Sequence, residues 1–252
     1  MKVSIITVTK NSARTIARTV RSVYSQHATN IEHIIKDAVS IDQTLRIAKS
    51  INPSVVILSK SDAGIYDAMN QGYEISTGEI IAFLNSDDHY IDNNVVVEVI
   101  NAFEKFDCDF VYGDIRMVSA TGVIVREWKT GVIGDAGLVG KQIPHPSLFI
   151  KRSILDLLVL PFDPSFRISA DLKQQLLIIN KYRFKGYYLN RPIVMMEIGG
   201  KSTHSLLSYL QGWKESVRAY NEVFERGGGV YVFMKVLSKL NGVRFSRLLK
   251  FD

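Results

Sequence analysis

Five short apolar runs, rich in β-branched residues, recur through residues 1–113, and a stretch with helical spacing separates each from the next. The first run, at residues 3–8, is continuous rather than alternating, the pattern of a strand buried on both faces. Asn11 and Ser12 then offer a helix cap, and Ile16, Val20 and Val23 follow with helical periodicity. Further strands are expected at 31–35, 55–58, 80–84 and 110–112, with helices at 44–50, 65–75 and 94–106. In the helix at 65–75, Ile65, Ala68, Met69 and Gly72 fall on one face. Repeated strand and helix with short connections predicts an α/β fold, a mostly parallel central sheet flanked by helices. Ligands of such sheets bind beyond the carboxyl ends of the strands. Asp37, Asp62 and the pair Asp87-Asp88 all stand just after strands, so three acid-bearing loops are expected at one edge.

After Gly113 the alternation loosens. A hairpin is expected over 118–128 around Thr121-Gly122, then a glycine-rich mobile loop at 131–140. Strands are expected at 148–150, 187–189 and 193–197, and helices at 154–159, 171–180 and 205–225. Three glycines at 227–229 break the chain before a last helix at 230–249.

The chain has 252 residues, 46% of them hydrophobic, enough for a well-buried core. Its formal charge of +6 suits an anionic small molecule or membrane surface as well as nucleic acid. The one cysteine, Cys108, excludes an intrachain disulfide and reads as a small core residue in a reducing compartment. No run resembles a cleaved leader or a transmembrane helix, so a cytoplasmic location is expected.

The fourth strand ends in "FLNSDD", residues 83–88. Two adjacent carboxylates repel each other, and a divalent cation would relieve the repulsion. Mg²⁺ or Mn²⁺ takes oxygen ligands, often one or two carboxylates with phosphate oxygens and water. A solvated loop preceding a helix is the competing reading.

The blocks "VSIITVTKNSARTIARTVRSVYSQ" (3–26), "IEHIIKDAVSIDQTL" (31–45), "SDAGIYDAMNQGYEISTGEIIAFLNSDDHY" (61–90), "HPSLFIKRSIL" (145–155), "FRISADLKQQL" (166–176) and "GGKS" (199–202) decide between these. In collinear order over residues 1–205 they resemble the GT-A glycosyltransferases of family 2, inverting enzymes with nucleotide-sugar donors. The branch most similar is the bacterial one that builds capsule, O-antigen and exopolysaccharide. The resemblance implies a GT-A fold with C-terminal helices. It implies transfer of a hexosyl or N-acetylhexosaminyl unit from a nucleoside-diphosphate sugar, a UDP-sugar by preference, to a saccharide or lipid-linked acceptor. Thr7, Thr9 and Asn11 would contact the nucleotide, Asp37 the nucleobase, and Asp62 would line the nucleotide site. "NSDD" matches the DxD-type stretch, with Asp88 as ligand of Mn²⁺ or Mg²⁺ and Asp87 on the donor. Asp171, opening a later helix, matches the catalytic base. Two departures stand out. Ala38, Val39 and Gln43 replace the usual glycine-rich turn after Asp37, and since Val39 resists positive φ the loop is expected to be shaped differently. Lys173 follows Asp171 and is expected to favour its ionised form.

Other residues fit less specific roles. Lys201 in "GGKS" suits diphosphate, although Met195 stands where a P-loop needs glycine. His145, fixed between two prolines, and His204 suit phosphate or acceptor contacts, and Trp128 could stack on a sugar. His27, His33 and His89 read as structural or surface residues. No G-x-G-x-x-G is present, which disfavours a dehydrogenase. From Gly227 onward there are five bases and one acid, a net charge of +4, beside an apolar face from Val230 to Leu240. This suits peripheral contact through 230–250 with the inner face of the cell membrane, or packing on protein in an oligomer; nothing calls for nucleic acid. The expected organisation is a donor-binding half at 1–113, an acceptor and base half at 114–204 and a helical extension at 205–252. A sugar nucleotidyltransferase is the alternative, although "TVTKNSART" lacks its glycine- and arginine-rich loop; a non-catalytic nucleotide-sugar-binding module is the other.

Overall fold

All seven residues of β1 (Val3–Thr9) are buried, as a strand at the middle of a sheet requires. In the computed structural model, which describes residues 1–138, 141–198, 206–225, 228–230 and 232, β1 pairs in parallel with β2 (Ile31–Asp37) on one side and β4 (Ile80–Phe83) on the other. The edge strand β3 (Val56–Ser59) adds in parallel to β2. Three helices make the crossovers: α1 (Ile16–Tyr24), α2 (Thr44–Ile51) and α3 (Ile65–Glu74).

The two-residue period of a strand sorts side chains onto opposite faces. Ile80 and Ala82 join a cluster with Val3, Ile5 and the helix α4 (Val95–Lys105). Ile81 and Phe83 join Ile6, Val8, Tyr66 and Met69 on the other face. A smaller cluster of Ile16, Val20, Ile35, Ala48 and Val55 closes α1 and α2 onto β2. Within α3 the buried set is Tyr66, Ala68, Met69, Asn70 and Gly72. Ile65 is turned out to solvent, so the expected face is rotated by one residue toward Tyr66.

Beyond β4 the sheet is mixed. Its order is β3-β2-β1-β4, then β8 (Leu148–Lys151), β6 (Phe110–Val118), β9 (Gly186–Glu197) and β5 (His89–Tyr90), with β7 (Ile124–Trp128) paired to β6. The strand β8 (Leu148–Lys151) is antiparallel to both β4 and β6, and the two-residue β5 (His89–Tyr90) is antiparallel to β9. The expected hairpin is present, but β6 (Phe110–Val118) does not stop at Tyr112. It runs on through Gly113, where an added Cβ would stand 2.9 Å from the Arg191 carbonyl oxygen. The two strands expected at 187–189 and 193–197 are one twelve-residue strand, β9 (Gly186–Glu197). Pro192 reads as a break because it cannot donate to the ladder, yet a register shift opposite Asp114 accommodates it. The expected helix at 154–159 is a single turn, α5 (Arg152–Leu155). The one at 171–180 is α6 (Ala170–Gln175), continued by a π-turn over Leu176–Lys181.

The final described helix, α7 (Leu206–Phe224), buries Ala219 and Tyr220 in the cluster that holds Phe83, Phe162 and Leu172. The helix expected at 230–249 lies outside the described residues apart from Val230 and Val232. No described helix is long and apolar enough to cross a membrane.

Candidate active site

The carboxyl ends of β1 and β2 are tied together by short polar side chains. Asn11 adopts φ +50°, a conformation asparagine tolerates. Its backbone N–H donates to Ser40 Oγ (2.8 Å), and its Oδ1 accepts from the Ile41 N–H (3.0 Å). Asp37 is completely buried and accepts from the Ser40 N–H (2.9 Å), the Ser40 hydroxyl and the Ser59 hydroxyl (2.8 Å). Contrary to expectation, Val39 occupies the left-handed region, at φ +56°. The loop keeps a conformation suited to glycine although it carries a β-branched residue, a strain of about 1–3 kcal/mol. The bonds from Asn11, Ser40 and Ser59 hold it there.

Asp62 is paired with a residue that the sequence reading passed over. Lys36 is fully buried, and its ammonium donates to Asp62 Oδ2 (2.8 Å) and to the carbonyls of Lys60 (2.6 Å) and Asp37 (3.2 Å). The clue was a lysine inside the apolar run "IIKD", since a buried ammonium must be paired. Thr7 is also buried, with its hydroxyl spent on His33 Nε2 (3.0 Å). The Thr9 hydroxyl is shut off from solvent without a partner among the described residues.

On the far side of β1, Asp88 is 1% exposed. Its Oδ2 accepts from Asn85 Nδ2 (3.1 Å), and its Oδ1 has no partner among the described residues. Burial, and then the charge of Asp87, hold the Asp88 carboxyl well above the usual carboxylate range. Burial likewise raises Asp87, with Glu197 adding to the effect and Arg14 and Arg18 opposing it. Glu197, at the end of β9, accepts hydrogen bonds from Arg14, in the turn before α1, and from Arg18 of α1. Despite burial, these bonds keep its carboxyl low. The loop is fastened from α1 by the Thr19 hydroxyl on the Asp88 carbonyl (2.7 Å) and from the β1 loop by a Ser86–Ser12 hydroxyl pair (2.9 Å). Asp37, Asp62, Asp87 and Asp88 thus arrive at one edge of the parallel strands. Arg14, Arg18 and Glu197 were not singled out from the sequence; nothing local marks them. Among the described residues no three His, Cys, Asp or Glu side chains form a cage for a metal. A buried carboxylate oxygen without a partner still fits an ion that draws its other ligands from phosphate and water.

Asp171 lies in the first turn of α6. Its Oδ2 accepts from Gln142 Nε2 (2.8 Å), and its Oδ1 lies 3.2 Å from the Tyr66 hydroxyl, whose single proton is shared with the Ile168 carbonyl at 2.6 Å. Lys173 is not its partner: the Lys173 ammonium pairs with Asp163 (2.7 Å) and Glu222. Residues two apart on a helix point in different directions, so adjacency in sequence misled. Burial and then Asp171 hold the Tyr66 phenol well above its usual range. His145 stacks on Phe83 with ring centroids 5.5 Å apart and meets Phe162 edge-on at 5.3 Å. Both ring nitrogens are shut off from solvent with no partner among the described residues. Burial depresses the imidazole pKa while Asp171 opposes the shift. Trp128 packs with the cluster under α4, apart from the one around Asp171. Lys201 and His204 lie outside the described residues.

Residues 4–135 match the family model described as glycosyl transferase family 2. A PGL/p-HBAD biosynthesis glycosyltransferase of Mycobacterium bovis is 31% identical in an alignment of 174 residues that covers 67% of this chain and 66% of that protein. The chain thus spans just under two thirds of the length of this relative. Among solved structures, S. aureus TarS 1-349 in complex with UDP-GlcNAc superposes with a TM-score of 0.68 at 16% identity, over 93% of this chain and 70% of that one. In another TarS structure the match covers only 41% of the TarS chain. The mannosyltransferase PcManGT from Pyrobaculum calidifontis, in complex with GDP-Man and Mn²⁺, gives 0.64 at 13% identity, over 96% and 75%. At these identities the structural likeness is one of fold, the GT-A fold.

Proposed function

The chain belongs to glycosyl transferase family 2, and from that premise we propose that it moves a sugar from a nucleoside-diphosphate sugar, a UDP-sugar by preference, to a hydroxyl of a saccharide or lipid-linked acceptor in bacterial surface-polysaccharide synthesis. The observation that carries this reading is the buried Asp88 oxygen without a partner, at the strand ends where Asp37 and Asp62 also arrive. Support for the donor class comes from fold neighbours in complex with UDP-GlcNAc, with UDP and with GDP-Man and Mn²⁺.

Thr9, Asn11, Asp37 and Asp62 would line the nucleotide, with Thr7 supporting them from within the sheet. Asp87 would face the donor, joined by Lys201 or His204. Asp88 would hold Mn²⁺ or Mg²⁺ which, when bound, supplies countercharge for the departing diphosphate. Asp171 would take the proton of the acceptor hydroxyl as that oxygen attacks from the opposite face, giving inversion. Gln142 orients one of its oxygens directly, and the Tyr66 hydroxyl, shared with the Ile168 carbonyl, lies against the other. His145, its imidazole pKa depressed by burial, would offer a ring nitrogen to the acceptor or a phosphate once substrate binding opens its surroundings, since both nitrogens are shut off from solvent here. Segment 230–250 is the proposed membrane contact for a lipid-linked acceptor.

A thermal-shift screen of nucleoside diphosphates with and without Mn²⁺ tests the donor site. UDP with Mn²⁺ should raise the melting temperature, since ligand at one hundred times its Kd adds about 2.7 kcal/mol. Asp88→Ala should remove the Mn²⁺-dependent part. Asp171→Asn should keep nucleotide binding and lower transfer by roughly 10²–10⁴-fold, the usual contribution of a general base. Absence of any nucleotide response, or full transfer by Asp171→Asn, would overturn the reading.

A further inference from the structure

Helix α7 lies outside the stretch matched by the family model, yet it reaches the turn that precedes Asp171. Glu215, buried on α7, accepts from three consecutive backbone N–H groups: Arg167 (3.0 and 3.2 Å), Ile168 (2.8 Å) and Ser169 (3.0 Å). The three amides lie in the turn ahead of α6, outside its hydrogen-bond ladder, and share one carboxylate. Gln211 steadies the carboxylate through a bond to Oε1 (3.1 Å), and the Ser169 hydroxyl donates to the Gly212 carbonyl (3.2 Å). The same turn is gripped from its other side, because the Tyr66 hydroxyl that reaches Asp171 also lies 2.6 Å from the Ile168 carbonyl. Further along α6, Gln175 bonds both the N–H and the carbonyl of Ile143 (3.0 Å each), next to Gln142.

We propose that Glu215 is a positioning residue for Asp171, fixing the 167–169 turn so that both Asp171 oxygens meet Tyr66 and Gln142. The proposal rests on Asp171 acting as the base. A misplacement of about 1 Å at a reacting group can cost 10²-fold in rate, which is the effect expected from losing the three amide bonds together. A helix prop with no catalytic consequence would instead lower stability and leave turnover per folded molecule unchanged.

Two measurements on the full chain separate these. The first is nucleoside diphosphate release from UDP-N-acetylglucosamine, UDP-glucose and GDP-mannose with Mn²⁺, with water as the acceptor. Per folded molecule, Glu215→Ala should lose about 10²-fold in kcat with donor KM within about threefold. Glu215→Gln, which keeps one acceptor oxygen, should recover part of the loss. In an Asp171→Asn background Glu215→Ala should change little further, since the two act as one unit. The second is hydrogen exchange, which needs no turnover: Glu215→Ala should speed exchange at 167–171 and leave β1 and β4 protected. Unchanged exchange at 167–171, or unchanged turnover where Asp171→Asn is impaired, would overturn the role of Glu215. Unimpaired turnover in Asp171→Asn would overturn the base itself, a separate failure.

Discussion

His33 sits inside β2 with Nε2 on Thr7 and Nδ1 without a partner among the described residues, and burial pushes its pKa down to about 3. In the unfolded chain a histidine titrates near 6.5. Between those values the unfolded state binds a proton that the folded state refuses, so the contribution of His33 to stability rises with pH across the window and is lost as pH falls from about 6.5. The loss is about 1.4 kcal/mol per pH unit. Glu32 joins only at lower pH, its carboxyl being held down to about 2. His89 and His145 share the direction of His33, whereas the buried carboxyls of Asp87 and Asp88, held above the usual range, act against it, so the test is a comparison. Urea denaturation of His33→Gln between pH 7 and 5 should show a shallower loss than the parent by about one proton; equal slopes would contradict the assignment. Residue-scale features of this kind were legible to different degrees. Asp37, Asp62, Asp87, Asp88 and Asp171 are visible as acids closing apolar runs or opening a helix. Tyr66 and Gln142, the partners of Asp171, come from positions 105 and 29 residues away and carry no local signal.

At the scale of elements, the contact of α3 with β1 carries the most for the site. Helix α3 follows Asp62 and holds Tyr66, so its distance from the sheet sets both. That distance depends on Gly72, where an added Cβ would fall 2.5 Å from Ile6 Cγ2. Alanine is the better helix former by about 1 kcal/mol, but over-packing costs about 1–3 kcal/mol. Gly72→Ala is therefore expected to lower stability in urea and weaken nucleotide-dependent thermal shifts, by moving the Asp62 loop and Tyr66 together. A stabilised variant with unchanged nucleotide response would show that the helix has room to spare. The four parallel strands β1 to β4 were readable because each falls on a short apolar run between helices of clear period, even the edge strand β3, which buries little of its own run, whereas the two-residue β5 carries no such signal. The later ones were harder: β6 and β9 are each one strand interrupted in pattern by Gly113 or Pro192. Their continuity comes from a paired irregularity between two chains of residues far apart in sequence, to which no single window is sensitive.

At the scale of the whole molecule, the family match ends at residue 135 while the sheet and its packing do not. Strand β6 carries the sheet across residue 113, and α7 closes the face that holds Phe83, Phe162 and Leu172. Tyr220 joins α7 to that face: it is fully buried, and its hydroxyl donates to the Leu138 carbonyl (2.9 Å). Removing a buried aromatic side chain costs about 3–5 kcal/mol, and the stranded carbonyl adds about 1–3 kcal/mol. Trp213, on the same helix but 51% exposed, should cost less than about 1 kcal/mol when truncated. If α7 is part of the one cooperative unit, Tyr220→Ala will shift the midpoint of urea unfolding far more than Trp213→Ala. Fluorescence and circular dichroism will then still report a single coincident transition. Comparable, small shifts for the two variants would mean that α7 docks on a domain already complete without it. Because Glu215 and Tyr220 stand five positions apart on the same helix, the packing of one underwrites the reach of the other. Tyr220→Ala should therefore also speed hydrogen exchange in the 167–169 turn, whereas Trp213→Ala should leave that turn as protected as in the parent.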